Sequence, residues 1–154
     1  MKTENSIPRI VPPFYMLASI IIMVALNAYA PIGQWLNPPW KYIGIAVIGL
    51  AFLLIIGSFI LFRKAGTEPR PGVRANALVT SGTFRYTRNP MYIGMTTILI
   101  GVATLLGSYS PFIVIPVFVW IIQSQFIKRE EKWMEEWFGQ SYLDYKKKTP
   151  RWLF

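Results

Sequence analysis

The sequence predicts an all-α integral membrane protein with about four transmembrane helices, a cytosolic connecting loop and further helices at the C-terminus. Three observations predict it. Hydrophobic residues make up 53% of the chain and charged residues only 15%, against roughly 25% charged in soluble domains. The apolar residues gather into four stretches of membrane-crossing length. The charges gather into two blocks, which fall on one side when those stretches are threaded back and forth. With 154 residues, no repeat and no long linker, the chain reads as a single domain over 1–154.

The first stretch, about residues 14–30, follows the breaker pair Pro12-Pro13. Lys2 and Arg9 precede it, and Ala28-Tyr29-Ala30 has the small-x-small form of a signal-peptide cleavage site. A permanent span is the expectation. The second stretch, about 42–62, is the cleanest. About twenty-one residues at a rise of ~1.5 Å cover ~31 Å, the thickness of the hydrocarbon core. The third and fourth, about 91–106 and 111–127, are shorter and joined by the uncharged turn Gly107-Ser108-Tyr109-Ser110. They read as a helical hairpin, with a re-entrant hairpin that does not fully cross as the alternative.

Within these spans Pro116 is expected to kink the fourth, because proline removes a backbone hydrogen bond. Gly44, Gly49 and Gly57 in the second span, with Gly94, Gly101 and Gly107 in the third, are expected to let helices approach closely. Trp35, Trp40, Tyr42, Tyr109 and Trp120 fit interfacial anchors.

Charge gives the orientation. The connection 63–90 carries Arg63, Lys64, Arg70, Arg74, Arg85 and Arg88 against Glu68. The tail 128–154 carries Lys128, Arg129, Lys132, Lys146, Lys147, Lys148 and Arg151, while the other two loops hold only Lys41. Four crossings with both termini cytosolic put every basic cluster inside. The net charge of +9 is therefore topological rather than a nucleic-acid surface, since no nucleic-acid motif accompanies it. The expected partners are the lipid bilayer and a lipophilic small molecule.

The chain contains no cysteine and no histidine. Disulfides, iron–sulfur clusters and thiol nucleophiles are excluded. Zinc catalysis and Ser-His-Asp hydrolysis lose their usual ligand and base, and no metal site is expected. Chemistry must come from carboxylates, tyrosine, asparagine, arginine or a bound cofactor.

Two segments offer those groups. In 76–94, Thr80-Ser81-Gly82 marks a turn, Arg85 and Arg88 flank Tyr86, and Asn89-Pro90 signals a helix start. Arginine, asparagine, tyrosines and free helix amides thus meet at the cytosolic mouth of a span, a place suited to a carboxylate or phosphate. The plainer reading is a basic loop with a helix cap. In 128–139, Glu130 and Glu131 lie within about a turn of the membrane boundary, where unpaired carboxylates are costly. Glu135 and Glu136 are expected to be solvated, and Gly139 to end the helix. A short helix over 141–148 would then place Tyr142 and Tyr145 on one face. The plainer reading here is a surface amphipathic helix with Trp133 and Trp137 dipped into lipid.

Leu-Val-Thr-Ser-Gly-x-Phe-x-Tyr-x-Arg-Asn-Pro-Met-Tyr-x-Gly, followed after a hairpin by Glu-Glu…Phe-Gly-x-x-Tyr-x-x-Tyr, resembles the isoprenylcysteine carboxyl methyltransferase family, a group that includes the phospholipid methyltransferases. The resemblance spans 76–151, and the first two spans match only as hydrophobic segments. It implies methyl transfer from S-adenosyl-L-methionine, leaving S-adenosyl-L-homocysteine, with the loop and C-terminal helices forming the cofactor pocket. The implied cofactor residues are Asn76, Ala77, Leu78, Val79, Gly82, Phe84, Arg88, Asn89, Pro90, Tyr92, Glu130 and Glu131, with Glu130, Arg88 and Tyr92 closest to the chemistry. Asn89 and Asn76 stand where the family usually has histidine, and Phe126 where the eukaryotic enzymes place a substrate-binding arginine. Phe126 and Gln123 are the implied substrate positions, with Gln125 and Lys128 as other possible donors. Two rival readings are a membrane reductase of the sterol-reductase type using a nicotinamide cofactor, and a non-catalytic adaptor whose basic face binds anionic lipid.

Overall fold

The computed structural model describes residues 11–68 and 72–153. Lys2, Arg9 and Arg70 lie outside the described residues. The chain forms α1 (Pro12–Tyr29), α2 (Ile43–Lys64), α3 (Pro90–Leu106), α4 (Val114–Ile122), α5 (Lys128–Phe138) and α6 (Gln140–Lys148). Single 3₁₀ turns at Trp40–Tyr42, Gly82–Arg85 and Ser110–Ile113 precede α2, α3 and α4. Among the described residues there is no strand, only one isolated antiparallel bridge, Gln34 to Ser108.

Three helical segments are long and apolar enough to cross a membrane: Pro12–Tyr29, Trp40–Lys64 and Ser110–Phe138. α3 is apolar but has only 17 residues. The outward faces of α1 and α2 suit lipid, with Leu50 66% and Leu53 68% exposed. Such a surface is sustained by hydrocarbon, not by water.

The helix of the fourth predicted span does not end at Ile127. It continues through a π turn, Gln123–Ile127, directly into α5. The wider turn admits an extra residue and rotates the faces that follow. Phe126 and Ile127 turn into the core, and the acidic start of α5 is carried rigidly on the end of α4. The expected kink at Pro116 has a different outcome: Pro116 is the third residue of α4, in its first turn. There the missing N–H removes no α-helical bond within α4.

Glycine explains how α3 fits against α2. A Cβ on Gly101 would strike Ile48 and the Gly44 carbonyl, one on Gly44 the Gly101 carbonyl, and one on Gly94 Ile55. The backbones touch along this seam. Gly49 and Gly57 face open space instead, so their expected packing role is absent. Gly107 ends α3 at φ +79°, and its N–H bonds the Ala103 carbonyl. A β-carbon there would strain this left-handed cap.

The two uncharged loops are tied together. Trp35 N donates to Gly107 O at 2.9 Å, Tyr109 N to Ile32 O at 3.1 Å, and Ser108 Oγ to Asn27 Oδ1 at 2.6 Å. Residues 30–40 and 107–110 therefore share one end of the bundle. The 63–90 connection and the tail share the other, where Tyr145 Oη donates to Phe84 O at 2.6 Å.

Gly101→Ala is expected to overpack the seam and destabilise the fold by ~1–3 kcal/mol, whereas Gly49→Ala should cause no loss. Thermal melts of both variants in detergent check this; equal behaviour would show that the seam is not tight.

Candidate functional site

A cavity of about 480 Å³ opens at the charged end of the bundle, within the ~300–1,000 Å³ usual for small-molecule sites. Five pieces of chain wall it, among them the end of α2 with Phe62. Val11, Pro12 and Pro13 at the start of α1 form one side, and Gly72, Val73, Ala75, Leu78 and Val79 of the connection another. Phe84 and the first turns of α3 supply the floor, while α5 and α6 close over it with Glu130, Glu131, Trp133, Met134, Trp137, Tyr142 and Tyr145. The wall is largely apolar, with a few polar groups among the hydrophobic ones.

Local chemistry sets each piece. Pro90 opens α3 at the position where its fixed φ is already helical, so Arg88 and Asn89 stand just before the helix mouth. Asn89 does not cap α3 with its side chain; its Nδ2 donates to Arg151 O at 3.0 Å. Phe84 is seated edge-on against Phe62 with centroids 4.9 Å apart, beneath a Ser58–Thr83 hydroxyl contact of 2.9 Å. Gly139, at φ +52°, makes the turn that folds α6 back, and both Tyr142 and Tyr145 reach the wall. Trp133 and Trp137 stack at 6.2 Å with planes 13° apart, and both line the cavity.

The two neighbouring carboxylates have opposite surroundings. Glu131 is buried and neutralised twice: Arg88 Nη1 lies 2.9 Å from Oε1, and Arg151 donates Nε to Oε1 at 2.8 Å and Nη2 to Oε2 at 2.6 Å. Glu130, one position earlier, accepts a 2.7 Å hydrogen bond from Tyr92 Oη and meets no cation among the described residues. Arg88 Nη1 also reaches the Tyr142 hydroxyl at 3.4 Å, while Arg88 Nε is buried without a partner among the described residues. An orphaned buried donor costs ~1–3 kcal/mol, so a missing acceptor belongs beside it. Burial pushes the phenols of Tyr142 and Tyr145 up, which keeps both neutral donors. The Glu131 hydrogen bonds hold the Arg151 guanidinium charged.

Of the residues singled out in the sequence, Leu78, Val79, Phe84, Arg88, Asn89, Pro90, Tyr92, Glu130 and Glu131 line the cavity. Asn76, Ala77 and Gly82 do not. Asn76 pins the connection instead, its Nδ2 donating to Gly66 O and its N–H to Thr67 Oγ1, both at 3.0 Å; Gly82 packs on Leu61. Phe126 and Gln123 are also off the wall. Phe126 is 2% exposed and meets Tyr15 edge-on at 5.6 Å, and Gln123 Oε1 accepts from the Trp152 indole at 2.8 Å. Glu136 is exposed as expected, but Glu135 is paired with Lys146 at 2.5 Å. Sequence reasoning missed Arg151 as a partner of Glu131. A buried acid followed by a lone arginine after a proline was the only signal, and it is too common to be read.

The donor set fits S-adenosylmethionine. Arg88 Nε offers the unfilled donor a carboxylate needs, Glu130 an acceptor for an ammonium or ribose hydroxyls, and the aromatic wall a surface for a sulfonium.

The family model described as phospholipid methyltransferase matches residues 40–141. Protein-S-isoprenylcysteine O-methyltransferases are similar to about half of the chain: that of Schizosaccharomyces pombe is 37% identical over 73 residues, 47% of this chain and 31% of the relative. The Xenopus laevis protein is 36% identical over 76 residues, 49% of this chain and 26% of the relative. The mouse protein is 35% identical over 75 residues, with the same two shares. The match thus spans about a third or less of these relatives' length. No solved structure matches the chain.

Glu131→Ala would leave Arg88, itself only 9% exposed, without its counter-ion. It is expected to destabilise the protein by ~3 kcal/mol or more, seen as a lowered thermal midpoint in detergent. Glu136→Ala should leave the midpoint in place, and equal midpoints would remove the ion cluster from the fold's supports.

Proposed function

The chain belongs to the phospholipid methyltransferase family, and from that premise we propose that it transfers a methyl group from S-adenosylmethionine to a lipophilic or amphiphilic acceptor at the membrane surface. The observation that carries the reading is Arg88, buried with an unpaired Nε among the described residues, on a cavity wall that also holds Glu130, Tyr92 and six further aromatic residues. Four crossings with both termini cytosolic accompany it, supported by the grouping of the uncharged loops at one end and the charged segments at the other.

When bound, the cofactor supplies a sulfonium methyl that is already electrophilic. What the chain must add is position. Arg88 and the amides at the start of α3 would hold the carboxylate, and Trp133, Trp137 and the tyrosines would face the positive sulfur. In-line placement of acceptor and methyl then supplies most of the rate. Charge separates the roles of the two acids. Glu131 is spent on two arginines, so a proton from an amine acceptor would go to Glu130, which accepts from the Tyr92 hydroxyl and pairs with no cation among the described residues.

The acceptor reading follows from the same walls. With Phe126 in the core, the described residues lining the cavity offer an acceptor carboxylate no cation beyond Arg88, the arginine assigned to the cofactor. A charge left unpaired in such a site is costly. A neutral or amine-bearing amphiphile is therefore the proposed class, entering between spans from the lipid.

S-adenosylhomocysteine should raise the thermal midpoint of the detergent-purified protein and NADPH should not, and labelled methyl should pass to extracted lipids. Glu130→Ala is expected to weaken S-adenosylhomocysteine by ~1.5–3 kcal/mol, with Glu136→Ala unchanged. Stabilisation by NADPH alone would replace this reading with the reductase.

A further inference from the structure

The segment after α6 is fixed by its backbone. Arg88 N donates to Pro150 O at 2.9 Å, and Thr87 Oγ1 and Asn89 Nδ2 both donate to Arg151 O at 3.0 Å. Position 151 is therefore held beside the mouth of α3 whatever side chain it carries. The side chain present is an arginine laid fork-to-fork on Glu131, with Nε on Oε1 and Nη2 on Oε2.

This occupancy decides what Arg88 can do. Both oxygens of Glu131 are already engaged, and Arg88 shares only Oε1, through Nη1. In a guanidinium, Nη1 sits on the Cδ side, away from the edge formed by Nε–H and Nη2–H. That far edge is the one shaped to take a carboxylate at two points. Its Nε–H is the buried donor that has no partner among the described residues.

We propose that Arg151 is a positioning residue of the site: by filling Glu131 with its own fork, it restricts Arg88 to one contact and keeps the Nε edge of Arg88 for the carboxylate of the ligand's amino-acid arm. The inference rests on the reading that S-adenosylmethionine is the ligand. Without Arg151, Oε2 of Glu131 falls vacant. A buried carboxylate with an unfilled oxygen draws the remaining guanidinium into a two-point pair, and Arg88 turns from ligand donor into counter-ion. Position 151 lies in the tail that follows α6, ten residues beyond the end of the family match at 141.

The test compares two probes on the full-length protein in detergent: S-adenosylhomocysteine, which carries the carboxylate, and 5′-methylthioadenosine, which lacks the amino-acid arm. Calorimetry should show Arg151→Gln weakening S-adenosylhomocysteine about tenfold or more, the scale of one charge-assisted hydrogen bond, while methylthioadenosine changes by less than about twofold. Arg151→Lys keeps a charge but not the fork and should fall between. Equal loss for both probes means that Arg151 merely holds the fold and overturns the proposal, as does unchanged S-adenosylhomocysteine binding. Should Arg151→Gln not fold, the same comparison on Arg151→Lys decides. Wild-type protein that binds neither probe overturns the methyl-donor reading, and this proposal with it, before any variant is compared.

Discussion

One buried carboxylate organises the charged end of this protein. Glu131 sits on the rod formed by α4, the π turn and α5, Arg88 precedes α3, and Arg151 lies in the tail. Three segments distant in sequence are thus bound at one point. Two arginines share this one acid, while Glu68 and Glu130 also line the cavity beside it. A buried pair of this kind adds little net stability over apolar packing, yet breaking it is severe. Its contribution is specificity: it fixes which guanidinium edge remains open.

The bundle behind it answers a different requirement. Lipid gives helices no hydrophobic reason to associate, so close backbone contact has to supply the attraction. Gly44, Gly94 and Gly101 provide it along the α2–α3 seam. The seam holds α3 in place, and α3 delivers Arg88, Asn89 and Tyr92 to the cavity. At the opposite end, Asn27 and Ser108 lock the two uncharged loops together, which sets the length of the hairpin between them. Packing in the spans therefore governs geometry at the membrane surface.

Much of this was legible in the sequence. Four apolar stretches, the Asn89-Pro90 helix start, the glycine at 139 and the Tyr142–Tyr145 pair all correspond to observed elements, because each rests on local chemistry. The residues that sequence reading misplaced depend on long-range register. Gly49 and Gly57 look like Gly44 in the sequence, and only the facing helix separates them. The resemblance implies that Phe126 and Gln123 face a substrate, but within the π turn Phe126 lies in the core and Gln123 bonds Trp152. Asn76 sits next to wall residues, yet its amide is used to close the loop on Gly66. Glu130 and Glu131 are adjacent and alike, and only Arg151, twenty residues on, makes one a structural acid and leaves the other beside a phenol.

The central claim is that the cofactor binds between the α3 mouth, α5 and the tail, through groups kept open by the Glu131 cluster. Amide hydrogen exchange with and without S-adenosylhomocysteine tests it most directly. Slowed exchange is expected in residues 84–92, 128–137 and 142–152, with the 30–40 and 107–110 loops unchanged. Protection confined to those far loops, or none at saturating ligand, would contradict the account.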